Sequence, residues 1–428
     1  MILRAAWILT MIGPPLPQAA IRIHNGLIQE VAPWRDLPPK PGEPVLDLPQ
    51  ALLLPGLINA HCHLDYTHMA GLLPPQRRFT DWIKLITATK AEWTLDEFRN
   101  SWLTGATMLL RNGTTTVADV EAVPELLPDC WSRTPLRIVS FLEMTGIRAR
   151  RDPHQVLDET LAILQRLPRG RSWAGLSPHA PYSTRPALLT LVASIARKKR
   201  LHLTTHVAES EEEFQMFRHA RGPMYEWLLR NERDMSDCGR HTPIQHLHQA
   251  GLLGPNLLAV HANYLGPGDA ALLAQHHVTV VHCPRSHRYF GHQPFPWRRL
   301  LRAGVNLCVG TDSLATVLKQ GRQPLELSLF EELHELRQRQ PWLSPPQLLR
   351  MVTLHPARAL GLQGKAGQLT RGAWADLIAL PAEGIRTARD VWHAAVEHRG
   401  PVLATFIAGQ PVWSHPTCPL PQPPSQPA

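Results

Sequence analysis

Long apolar runs, paired cysteines and charge are what this chain has least of. No uninterrupted apolar run reaches the roughly 18 residues a bilayer-spanning helix needs, so no membrane role is expected. The six cysteines (Cys62, Cys130, Cys238, Cys283, Cys308 and Cys418) contain no CxxC pair. A chain of this length builds its core without staples, and free thiols in a reducing, cytoplasmic setting are the expectation. Charged residues are only 18% of the sequence, while hydrophobic residues reach 44%, which excludes wholesale disorder. No internal repeat with a period of 20 to 50 residues is visible. The excess of basic residues, a formal +9, is nearly all dispersed arginine. Its short runs, such as 197–200, lack the interleaved aromatics of a nucleic-acid groove, so a solvated basic surface is expected and no nucleic-acid partner.

The abundant residues are more telling. Proline is scattered through periodic segments and clusters only in the final PLPQPPSQPA, which reads as a frayed tail over 417–428. The opening MILRAAWILTMIGPPLPQAA imitates a weak signal peptide, with Arg4 before an apolar stretch. A strand and a proline-containing turn explain it equally, and the strand patterns between residues 20 and 48 favour the strand. There are 23 histidines, an unusual supply of the commonest metal ligand and proton carrier.

Short strand-like segments at 6–11, 20–24, 27–31 and 45–48, punctuated by Gly and Pro, predict a small all-β element over 1–54. From Pro55 onward apolar runs recur at 56–60, 115–120, 136–142, 173–177, 201–207, 257–261, 278–282 and 305–310, with stretches of helical length between most of them. Eight such runs predict a (β/α)8 barrel over 55–365. Strand patterns return at 376–380 and 402–407. The fold class is therefore α/β, a TIM barrel carrying a small β-sandwich built from both chain ends, 1–54 and 366–416.

The strongest chemical signal is His61-Cys62-His63 after the run LLLPGLINA. Alternate residues of a strand share a face, so both imidazoles point the same way. At the end of a first barrel strand that face is the mouth where barrel active sites lie. The fifth run ends in His206-Val207-Ala208-Glu209, the sixth at His261 and the eighth at Asp312. Four strand ends of one barrel thus offer metal-competent groups, and Glu209 lies where it can reach over them.

These motifs resemble the amidohydrolase superfamily, in the branch of cytosine deaminase, S-adenosylhomocysteine deaminase and aminodeoxyfutalosine deaminase, with the triazine hydrolases nearby. LPGLINAHCHLDY, HVAES, VHANYL and VGTDSLA are similar to that family's signatures at barrel strands one, five, six and eight. TLHPARALGL and GQLTRGAWADLIAL resemble the stretch where the chain leaves the barrel. The resemblance implies that His61, His63, His206 and Asp312 hold one divalent metal, zinc first, with iron or manganese as alternatives. It implies that Glu209 is the acid/base, that His261 and Asp312 act on the attacking water, and that His179 in SPHAPYST faces substrate. Family members with two metals bridge them through a carboxylated lysine at the end of strand four. RSWAGLSPHAPYS has no lysine, so one metal is implied.

A divalent ion so held makes hydroxide available at neutral pH. The resemblance then implies hydrolytic deamination of a purine-nucleoside-like heterocycle with release of ammonia. A triazine-type dechlorination on the same site is the alternative, and a non-catalytic scaffold a remoter one, since all four ligands are present. For substrate contacts the loops supply Tyr66, His68, Trp82 and Tyr182 as ring or ribose partners, and Arg77, Arg78, Arg285 and Arg288 as carboxylate partners. Adenosine-type relatives carry a ribose-gripping Glu shortly after the Trp of the first loop. Here DWIKLITATKAEW offers only Glu92, at a larger spacing, which tilts the expectation towards aminodeoxyfutalosine. The partner expected is a small heterocycle, and the oligomer a homodimer by family habit.

Overall fold

The computed structural model describes residues 1–146, 151–319, 321, 324–418 and 420. The chain opens with β1 (Ile2–Ile8), β2 (Leu16–His24), β3 (Leu27–Pro33) and β4 (Val45–Pro55). The first strand therefore lies earlier than the apolar run at 6–11 suggested. It accommodates Arg4, whose neighbours Ile2, Leu3 and Ala5 are buried. β2 and β3 meet at Asn25-Gly26, both left-handed (φ 49° and 76°), the two-residue turn that matches strand twist.

Eight parallel strands follow: β5 (Leu57–Cys62), β6 (Thr114–Glu121), β7 (Arg137–Met144), β8 (Trp173–Pro178), β9 (Leu203–Val207), β10 (Leu257–His261), β11 (Thr279–His282) and β12 (Asn306–Val309). They pair in chain order, and a bridge between Cys62 and Asp312 joins the last strand's tip to the first. The expected TIM barrel is thus present. Its strands are buried on both faces, as β6 is throughout, which is why they read as short continuous apolar runs rather than alternating ones.

The ring closes because Gly310 has no side chain. A Cβ there would meet the backbone oxygen of His61 at 2.7 Å and its nitrogen at 2.9 Å. The helix Leu95–Arg111 illustrates the outer layer. A Thr94/Glu97 capping box starts it, and Phe98, Ser101, Trp102, Gly105, Ala106, Leu109 and Leu110 form its buried stripe.

The chain ends with β13 (Leu377–Pro381), β14 (Ala404–Ile407) and β15 (Gln410–Ser414). Both chain ends build one continuous mixed sheet, in the order β15-β14-β13-β4-β1-β2-β3. The join is the antiparallel pair of β4 with β13, from Leu377 opposite Pro55 to Pro381 opposite Ala51. Of the tail expected to fray, Cys418 and Leu420 are buried against this sheet; residues 419 and 421–428 lie outside the described residues. All six cysteines are buried and unpaired. Among the described residues no helix is long and apolar enough to cross a membrane.

Sheet and barrel are pinned by one buried ion pair. Arg137, in β7, donates from Nε to Asp376 Oδ2 at 2.5 Å and from a terminal nitrogen to Oδ1 at 3.1 Å. Its guanidinium lies 3.8 Å from the Trp374 ring centroid, and Asp376 Oδ1 also accepts the Ala408 amide at 2.8 Å. Asp376→Ala leaves that guanidinium buried and unpaired, which should lower unfolding stability by about 3–5 kcal/mol in urea titrations. The double variant Arg137→Leu/Asp376→Leu should recover much of the loss. A single-variant loss below about 1 kcal/mol, as at a surface pair, contradicts this role.

Candidate metal and acid–base site

The tips of β5, β9, β10 and β12 curl inward over the mouth of the barrel. Three of these turns use left-handed backbone at residues other than glycine: Ala208 (φ 50°), His261 (φ 73°) with Ala262 (φ 49°), and Asp312 (φ 55°). Each such residue costs on the order of 1–3 kcal/mol and persists only where its surroundings fix it. At Asp312 the fixing groups are the first strand's own: the His63 amide donates to Asp312 O and the Asp312 amide to His61 O, both at 3.1 Å.

These turns gather the imidazoles. One ring nitrogen from each of His61, His63 and His206 lies within 4.8 Å of the others. His63 Nε2 and His206 Nε2 are 3.2 Å apart. Asp312 Oδ1 stands 3.6 Å from His61 Nε2 and 3.8 Å from His63 Nε2. The buried His61 Nε2 has no hydrogen-bond partner. His206 is oriented from behind, with Nδ1 2.9 Å from the His179 carbonyl, so its Nε2 lone pair faces the cluster. Thr316 donates to Asp312 Oδ2 at 3.2 Å. Three converging imidazole nitrogens and one carboxylate oxygen form the donor set that a four-coordinate divalent ion takes.

Electrostatics suit the same use. Burial, aided by the neighbouring imidazoles, holds His63 well below the usual histidine range and pushes His206 down to about 3. Both are therefore neutral, the ligating form. Burial alone raises Asp312, but His61, His261 and His63 outweigh it and keep the group a carboxylate. Glu209 behaves oppositely. Burial first, then the charges of Asp312 and Glu213, lifts its carboxyl well above the ordinary value. Its Oε1 lies 3.4 Å from His261 Nε2, itself buried and held neutral.

The other candidates divide. His179 sits at the rim, with Nδ1 2.6 Å from Ser183 Oγ and its ring 4.9 Å from that of His206. Tyr66 stacks on His63 at 5.1 Å and 7°. Trp82 packs with Phe79 (5.8 Å) and edge-on with Phe290 (5.0 Å), in an aromatic cluster beside the mouth. Arg285 requires a correction. Its Nε and backbone amide both bond Glu332, at 2.5 and 2.9 Å, and a terminal nitrogen donates to the Glu326 carbonyl. That guanidinium fastens the helix Pro284–Tyr289 to the helix Leu329–Arg339 and is committed elsewhere than to a substrate carboxylate. Glu92 is exposed just past the helix Phe79–Ala91.

Sequence reasoning missed an acidic wall on the β5–β7 side. Asp65 is 2% exposed with both carboxylate oxygens unpartnered. Glu121, ending β6, accepts the Val123 amide at 2.7 Å, and Glu143 Oε1 stands 3.9 Å from His179 Nε2. The Lys90 ammonium donates to the Tyr66 hydroxyl from 4.6 Å over its ring centroid. Asp65 lies past the strand, in the 3-10 turn Leu64–Met69, so the alternation that relates His61 and His63 does not reach it.

The amidohydrolase family model matches residues 52–412. A 5-methylthioadenosine/S-adenosylhomocysteine deaminase of Syntrophobacter fumaroxidans is 32% identical over 385 residues, 86% of this chain and 80% of that protein. An adenosine deaminase from Xanthomonas campestris, solved with bound zinc, superposes with a TM-score of 0.81 at 24% identity, covering 96% of this chain and 92% of that one. Aminofutalosine deaminase of Helicobacter pylori in complex with methylthio-coformycin gives 0.85 at 20% identity, covering 96% and 99%. The chain belongs to the amidohydrolase family. It is a hydrolase acting on carbon–nitrogen bonds other than peptide bonds.

Zinc bound to protein dialysed against the metal should reach about one ion per chain, and His63→Ala or His206→Ala should bring it below about 0.1. Arg285→Ala should leave it unchanged. Metal analysis by plasma mass spectrometry checks all three, and full occupancy in both histidine variants contradicts the ligand set.

Proposed function

We propose that the chain is a hydrolytic deaminase of an aminated purine nucleoside or a closely related heterocycle, with one zinc ion held by His61, His63, His206 and Asp312. The observation that carries this reading is Glu209. A carboxyl kept protonated by burial, 3.4 Å from His261 and beside a metal-type donor set, is what protonating a ring nitrogen requires. The relatives named deaminases point to the same reaction class.

The metal, when bound, supplies an acidified water at neutral pH. Asp312 takes the proton of that water as its oxygen bonds to the ring carbon bearing the amino group. Glu209 donates its proton to the adjacent ring nitrogen, so negative charge does not build up on the ring. His261, neutral, orients the water and steadies the charge on its oxygen. Asp312 passes its proton to the exocyclic nitrogen, the carbon–nitrogen bond breaks and ammonia leaves, while the hydroxyl proton on the ring carbon passes to Glu209 and restores its acid form. His179 and Tyr66 face the ring from the rim, and Trp82 closes the loop over it. The departure at Glu92 keeps aminodeoxyfutalosine the favoured candidate. The same donor set and a ring-protonating acid also serve displacement of chloride from a triazine, and the leaving group is what the turnover test decides.

The test is ammonia release by zinc-loaded protein across aminopurines, their nucleosides, aminopyrimidines and aminodeoxyfutalosine. Turnover of one nucleoside-like compound is expected, and turnover only of chlorinated triazines contradicts the reading. Glu209→Gln should lower kcat about 10²–10⁴-fold with zinc retained. A raised pKa keeps Glu209 protonated to higher pH, so kcat should fall on the alkaline side as that proton is lost. The Gln variant should lack this limb.

A further inference from the structure

Glu209 stands just beyond β9, on backbone already turned left-handed at Ala208 (φ 50°). A loop of this kind does not by itself hold a carboxyl to the tolerance that proton transfer needs. Yet both polar groups of the Glu209 backbone are taken by buried side chains. Its amide donates to Glu213 Oε2 at 2.9 Å, and its carbonyl accepts from Asn263 Nδ2 at 2.9 Å. Asn263 is itself fixed: its amide donates to the Ala208 carbonyl at 2.9 Å, and Oδ1 is 3.0 Å from His287 Nδ1.

Glu213 departs from the ordinary rule of its position. It is the third residue of the helix Glu211–His219, whose cap, Ser210, accepts the Glu213 amide at 3.1 Å. In a capping box the glutamate answers by accepting the amide of the cap residue itself. Here the carboxyl passes Ser210 and takes the amide one residue earlier, that of Glu209. The detour carries a cost, because Glu213 is fully buried, with the Glu209 and Ala208 amides facing its carboxyl. The neighbouring Glu212 is used elsewhere: it accepts the Phe79 and Thr80 amides at 3.0 and 3.2 Å, at the start of the helix Phe79–Ala91.

Resting on the deaminase reading of Glu209, we infer that Glu213 is a positioning residue: with Asn263 it clamps the Glu209 backbone so that the carboxyl meets the substrate ring. The clamp needs an acceptor at Oε2, not a charge. Burial lifts the Glu213 carboxyl to about 8, so a carbonyl-type acceptor already serves at neutral pH. Gln should therefore substitute, whereas Ala should not.

Two measurements on zinc-loaded protein decide it. Misplacing a reacting group by about 1 Å costs on the order of 10²-fold. Glu213→Ala should accordingly lose about 10- to 100-fold in kcat with KM within about threefold. Its zinc content should not change, and the alkaline limb of its kcat profile should move. Glu213→Gln should restore kcat, while the limb, which loss of the Glu213 charge shifts in both variants, does not separate them. An alanine variant with wild-type kcat, or a glutamine variant as poor as alanine, overturns the inference. In crystal structures, the separation of Glu209 Oε1 from His261 Nε2, 3.4 Å in the wild type, should lengthen in Glu213→Ala and not in Glu213→Gln. An unchanged separation overturns it. If the wild-type chain deaminates no aminated heterocycle, the deaminase reading falls, and this separation alone decides whether the clamp exists.

Discussion

The meeting of the first and last barrel strands is the constraint on which the rest depends. His61 and His63 come from one end of the barrel sequence and Asp312 from the other, and they share a site only because β12 bends onto β5 at the Cys62–Asp312 bridge. Two amide hydrogen bonds hold that contact, and Gly310 leaves room for it. The same closure keeps Asp312 in left-handed backbone, the conformation that aims its carboxylate at the imidazoles. The donor set is thus a product of ring closure rather than of any local motif.

Burial then sorts the titratable groups by charge type. Desolvation disfavours every charged form. It leaves His63 and His206 neutral and ready to ligate, and it leaves Glu209 protonated. Asp312, surrounded by imidazoles, escapes it. One environment therefore prepares ligands and acid together. The run Glu211-Glu212-Glu213 at a helix start divides its work. Glu212 ties down the helix of the first loop, and Glu213 reaches back to the strand tip. The loop after β5 and the tip of β9 are thereby built into one unit.

Much of this was legible because strand chemistry is local. HxH on alternate positions, and polar residues ending apolar runs, follow from period two and from where barrel strands stop. What was not legible depended on partners distant in sequence. Arg285 looks like any loop arginine until Glu332, 47 positions away, is seen beside it. The cluster that Trp82 forms with Phe79 and Phe290 likewise joins two segments that no spacing rule connects. Asp65, Glu121 and Glu143 belong to three separate segments, and no spacing rule joins them. The first strand reads too late in the sequence because Arg4 interrupts its apolar pattern.

The seam between β4 and β13 has a consequence for synthesis. β4 leaves the ribosome early, with β1 on one side and its other edge unpaired, while the strand that covers this edge is still more than three hundred residues from being made. At cellular elongation rates that interval is on the order of tens of seconds. Through it the nascent chain displays Leu52, Leu53 and Leu54 on an open β-edge, the kind of template that neighbouring nascent chains can extend. The fold that hides both its ends in one sheet is thus one whose newborn N-terminal half depends on being kept apart from its copies.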